Sequence, residues 1–118
     1  MITFKQFLLN EIRIPIEDIL PDKDNMEVAV DSLRKGMISD DKSPLKLYKS
    51  EKHENKYVLD DGHHRLLKAI IDGEDSINCK IDPTPMSDSG TIELDPMADG
   101  NYYGLDQTLE NGWLINRL

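Results

Sequence analysis

At 118 residues and 13.5 kDa, with 38% hydrophobic and 31% charged residues, the chain has material for one hydrophobic core and not for two. Its net charge of −9 and pI of about 4.7 oppose non-specific nucleic-acid binding, which depends on neutralising phosphates with Lys and Arg. No apolar run reaches membrane-spanning length, the first residues lack a signal-peptide pattern, and the single cysteine cannot form an intrachain disulfide, so a cytoplasmic location in the producing or infected cell is expected.

In chain order, Ile2, Phe4, Phe7, Leu8 and Leu9 form a short amphipathic pattern that predicts an N-terminal helix over residues 1–11. Ile12, Ile14, Ile16 and Ile19 predict a short strand followed by a turn, with Pro15 confining that strand to an edge or a strand start. Residues 25–36 predict a helix: Asn25 can cap it, Met26, Val30 and Leu33 share a face, and Gly36 ends it. Strands follow at 44–49 and 56–60, joined by a polar hairpin connection, and after a helix over 63–72 comes another strand at 76–82. Cys79 shares a face of that strand with Ile77 and Ile81, which points to a buried thiol and not a nucleophile. Pro83 and Pro85 are expected to close the compact unit. Residues 83–118 then read as an acidic loop, with one short strand near 91–94, and a C-terminal helix carrying Leu105, Leu109 and Trp113 at i, i+4 and i+8, packed on the domain. The fold class expected is α+β: a small mixed sheet with helices packed on it, plus N- and C-terminal helices.

The chemistry concentrates in YVLDDGHHRLLKAIIDG, residues 57–73, where a strand runs through Asp60-Asp61-Gly62 into a helix that opens with His63, His64 and Arg65. Free N–H groups and the positive end of the macrodipole make a helix start attractive to anions. Gly62 lets a ligand approach the backbone, Arg65 offers a planar fork of donors, and His63 and His64 titrate near neutrality as candidate general acid or base. Downstream, Leu66, Leu67, Ile70 and Ile71 give one apolar face and Gly73 a stop. The plainer alternative is structural: Asp61 caps the helix and Arg65 pairs with a surface carboxylate. Asp60 and Asp61 are candidate ligands for Mg²⁺ or Mn²⁺ accompanying a nucleotide; a metal held by either of them with His63 or His64 needs a third ligand, His53 or a tail aspartate, and the adjacent histidines alone are not a metal signature, since neighbours on a helix diverge. Lys42, Lys46, Lys49, Lys52 and Lys56 are interrupted by Asp40, Asp41, Glu51 and Glu54, which makes a mixed surface and not a basic patch.

The order of elements over residues 12–82, with D-G-H-H-R at the mouth of the second long helix, resembles the ParB/sulfiredoxin superfamily, and YVLDDGHHRLLKAI is most similar to its ParB-like nuclease branch. The resemblance implies that Gly62, His63, His64 and Arg65 cradle the phosphates of a nucleotide or of nucleic acid, with nuclease, NTP-hydrolysing or phosphoryl-transfer activity. Sulfiredoxin-like members carry a nucleophilic Cys where this chain has His63, which removes the thiolate that reductase chemistry requires. A full ParB adds a helix-turn-helix reader and a dimerisation tail, for which this sequence has no room, so DNA segregation is not expected. The opening MITFKQFLLNE is similar to those of tailed-phage proteins. A competing expectation is an acidic, non-enzymatic interaction protein on the same fold, a phage inhibitor, virion component or DNA mimic with a protein partner. The net charge, the Asp-rich segment 83–106 and the aromatics Tyr102, Tyr103 and Trp113 motivate it.

Overall fold

The computed structural model describes residues 11–37, 41–94, 105–107 and 113–115. Strand β1 (Ile12–Pro15) leads through a 3₁₀ turn (Ile16–Asp18) into β2 (Ile19–Leu20), then helix α1 (Lys23–Arg34), strands β3 (Leu45–Ser50) and β4 (Tyr57–Asp61), helix α2 (His63–Ile71) and the long strand β5 (Ser76–Met86). These strands form one mixed sheet of five in the order β1-β5-β3-β4-β2, parallel at β3/β5 and β2/β4 and antiparallel at β1/β5 and β3/β4. The fold is α+β.

Period-two patterning decides which sheet face is buried. Leu45 and Leu47 of β3 are fully buried while Lys46 between them is exposed, and Leu59, Cys79 and Ile81 join the same core. Met26, Ala29 and Val30 of α1 and Leu66, Leu67 and Ile70 of α2 close it from the helical side. Ile71, expected on that face, is 38% exposed, and Ala69 takes the buried position. Gly73 ends α2 at φ 76°, with its N–H donated to Ile70 O at 3.1 Å and that of Glu74 to Ala69 O at 3.0 Å, the paired bonds of a Schellman motif.

Three boundaries differ from expectation. Helix α1 starts earlier than Asn25: Asp22 is the cap, its Oδ2 accepting the Asn25 N–H at 2.9 Å. The prolines do not end β5. Tyr48 pairs with Asp82 but Lys49 with Pro85, so Pro83 and Thr84 form a bulge, and the Asp82 carboxylate accepts the Thr84 N–H at 2.9 Å. The buried core then continues to Ile92 and Leu94, well past residue 82. In the tail, β6 (Leu105–Gln107) and β7 (Trp113–Ile115) pair antiparallel where a helix was expected, and β7 lies against α1. The expected N-terminal helix and the residues Tyr102 and Tyr103 lie outside the described residues. Among the described residues, no helix is long and apolar enough to cross a membrane.

Candidate functional site

The junction singled out in the sequence opens onto a cleft of about 530 Å³. One wall is the end of β4 and the start of α2, with Asp60, Asp61, Gly62, His63 and His64; the other is α1, with Asn25, Val28 and Ser32. Local irregularity creates the first wall. Lys46 pairs with Asp61 and Leu47 with Leu59, which leaves Asp60 as an extra residue, and this bulge explains why two consecutive strand residues both line the cleft instead of alternating across the sheet.

Gly62 stands at the N-cap of α2 with φ 117° and ψ 26°, a conformation that L side chains rarely adopt. A Cβ here would collide with the Leu45 side chain and come within 3.2 Å of the Arg65 guanidinium. Glycine is therefore required by both backbone and space. It offers no side-chain cap to the first-turn N–H groups of α2. Asp61 does not cap the helix.

Arg65 is not free to grip a ligand. Its Nη1 donates to Ser43 O at 2.8 Å and Pro44 O at 2.9 Å, its Nη2 to Asp61 Oδ2 at 3.0 Å, and its Nε lies 3.9 Å from Asp41. With 11% of the side chain exposed, the guanidinium ties the segment before β3 to the start of α2. Asp41 is held below the usual carboxylate range by hydrogen bonds from the Ser43 side chain and backbone, with Arg65 adding attraction. The expected phosphate fork is thus an internal brace.

The two histidines divide. His63 is buried, and its Nε2 accepts the Asp22 backbone N–H at 3.0 Å. Burial pushes its imidazole below the ordinary value, which Asp22 partly opposes. His64 is exposed on the cleft wall, with Nε2 3.3 Å from Ser32 Oγ. Asp60 lies 3.7 Å from Lys46 Nζ and Asp61 is bound to Arg65, and among the described residues no group of three or more His, Cys, Asp or Glu side chains is arranged to hold a metal ion. His53 is at the far end of β4 and cannot join them.

There, the sequence reading missed a second polar cluster. The buried Asp88 carboxylate accepts from Ser50 Oγ at 2.6 Å and from the N–H groups of Glu51 and Lys52 at 3.0 and 3.3 Å, and lies 2.7 Å from His53 Nδ1. His53 Nε2 faces Glu93 at 3.2 Å. Burial would raise the Asp88 carboxyl, but these hydrogen bonds outweigh it and hold it low. Ser50, His53 and Asp88 do not form a hydrolytic triad, because the Ser50 hydroxyl donates to the carboxylate and not to the imidazole. Cys79 is fully buried, and burial pushes its thiol up to about 12, in keeping with the core role expected of it.

Comparison of the chain with protein-family models, curated proteins and solved structures found no match.

Proposed function

We propose that the cleft at the start of α2 binds a phosphate-containing ligand, a nucleotide or a nucleic-acid phosphate, in a ParB-like domain. The observation that carries this reading is the uncapped helix start behind Gly62, whose amides belong to residues lining an open cleft. Gly62, His63, His64 and Arg65 contribute backbone N–H groups; the guanidinium of Arg65 keeps their geometry from behind. Asp41, Asp60 and Asp61 line the same cleft, so a free polyanion meets repulsion there. A ligand that arrives with Mg²⁺ or Mn²⁺ already on its phosphates carries less negative charge and is favoured over the bare anion. His64, exposed beside Ser32, is the side chain available for acid-base chemistry in hydrolysis or phosphoryl transfer.

Thermal melting with a panel of nucleotides, with and without Mg²⁺ or Mn²⁺, tests the reading, since a ligand that binds only the folded chain raises the melting temperature by mass action. A rise that needs the cation and shrinks in His64→Ala supports it; no rise with any nucleotide defeats it. Metal-dependent cleavage of a nucleotide or of DNA that survives His64→Ala would defeat the catalytic part alone.

A second reading, an acidic protein-interaction surface, is favoured by Val28 and Met37, which are 56% and 57% exposed beside the carboxylates of the cleft in a chain of net charge −9. Under that reading Val28→Asp abolishes binding of a protein partner while nucleotides have no effect on melting.

A further inference from the structure

His63 sits where three segments meet. Its own helix begins at the cleft, Asp22 caps α1, and the segment 90–92 runs alongside residues 21–23, with the Lys23 N–H donated to Gly90 O at 2.8 Å and the Ile92 N–H to Pro21 O at 2.9 Å. These bonds hold the backbone on either side of Asp22 while its own N–H points to the imidazole of His63, 3.0 Å away. An imidazole nitrogen that accepts a backbone N–H carries a lone pair, so the neutral ring bears its proton on Nδ1. The bond joins the starts of the two helices, and residues of both line the cleft.

We propose that His63 is a pH-operated clasp: neutral, it links α2 to the cap of α1 and sets the spacing of the cleft walls; protonated, it presents N–H to N–H and the link opens. This holds whatever the cleft binds.

The groups that face the ring are Asp22 at the cap of α1, His64 beside it on α2, and Asp60 and Asp61 at the end of β4. Burial is the largest influence and lowers the imidazole; Asp22 opposes, His64 adds to the lowering, and Asp61 and Asp60 oppose more weakly. The net direction is downward, which keeps the ring neutral and able to accept near neutral pH. Because the folded value lies below the unfolded one, the unfolded chain takes up the proton first on acidification. The stabilisation from the clasp is therefore complete above the ordinary histidine value of 6.5 and is lost as pH falls below it through the folded value.

Long-range ¹H–¹⁵N spectra of the full chain test the clasp without any substitution. Near pH ~7.5, His63 should be the Nδ1–H tautomer, and on acidification towards pH ~5 the Asp22 amide should shift with the same midpoint as the His63 ring. An Nε2–H tautomer, or an Asp22 amide that does not follow the ring, overturns the proposal. His63→Gln supplies the second measurement, because its side-chain oxygen still accepts the Asp22 N–H but does not titrate. Over the same acid range its melting temperature should fall less steeply than that of the wild type. A profile parallel to the wild type overturns the clasp.

Discussion

The start of α2 and the cluster around Asp88 are built from the same residue types, and one is open where the other is closed. At Asp88 the carboxylate takes the Ser50 hydroxyl, two backbone amides and one nitrogen of His53, whose other nitrogen rests on Glu93. At α2 the side chains are equally committed, Arg65 to Ser43, Pro44 and Asp61 and His63 to Asp22, but the helix start behind them has no side-chain cap and faces the cleft. A concentration of His, Asp and Ser therefore does not mark a binding site in this fold. A helix start without a side-chain cap, beside open space, is what the proposed site rests on instead.

Substitutions rank the two regions, and the largest effect is expected at the bend. Gly62→Ala combines an unfavourable backbone conformation with a clash against Leu45 and should cost about 4 kcal/mol in urea unfolding. A cost under about 1 kcal/mol would mean that the bend relaxes freely. Arg65→Ala leaves the carbonyls of Ser43 and Pro44 and the Asp61 carboxylate without their donor, at about 3 kcal/mol. Arg65→Lys should recover less than half of that, because an ammonium does not reproduce the fork. Asp88→Ala removes the acceptor shared by Ser50, Glu51, Lys52 and His53 and should cost about 2 kcal/mol, without changing any ligand response at the cleft. The stability Asp88 contributes as a carboxylate is present above the ordinary aspartate value and is lost as pH falls through its lowered folded value. In acid unfolding, the wild type should thus lose an increment that Asp88→Asn lacks. At the small end, His64→Ala should change stability by less than about 0.5 kcal/mol, its ring being exposed, yet diminish any nucleotide-dependent rise in melting temperature.

Which parts were legible in the sequence follows from the range of the interactions that determine them. The alternation in Leu45 and Leu47, the periodic Met26, Val30 and Leu33, and the glycine between strand and helix are local signals, and they placed α1, β3, β4, α2 and the opening half of β5. Proline at 83 and 85 reads as a stop because local rules deny it a place in a ladder, but a bulge stabilised by Asp82 carries the pairing past it. In the tail, Leu105, Leu109 and Trp113 have helical spacing in the sequence, whereas Leu105–Gln107 and Trp113–Ile115 pair as antiparallel strands in the structure. The bonds of Arg65 to Ser43 and Pro44 span 22 and 21 residues, and those to Asp88 span 35 to 38, so no periodicity could announce them. An arginine in the first turn behind a glycine reads as a fork for an anion, yet two carbonyls from the chain before β3 already occupy it.

The contrast between an open helix start and a closed carboxylate cluster is tested most directly by ¹H–¹⁵N NMR of the full chain titrated with Mg²⁺–ATP and the other Mg²⁺-bound nucleotides. Saturable shifts should appear at the amides of Gly62, His63, His64 and Arg65 and at Ser32 across the cleft, while Ser50, His53 and Asp88 stay still. Shifts absent from the start of α2 for every nucleotide, or centred on the Asp88 cluster, would contradict the account.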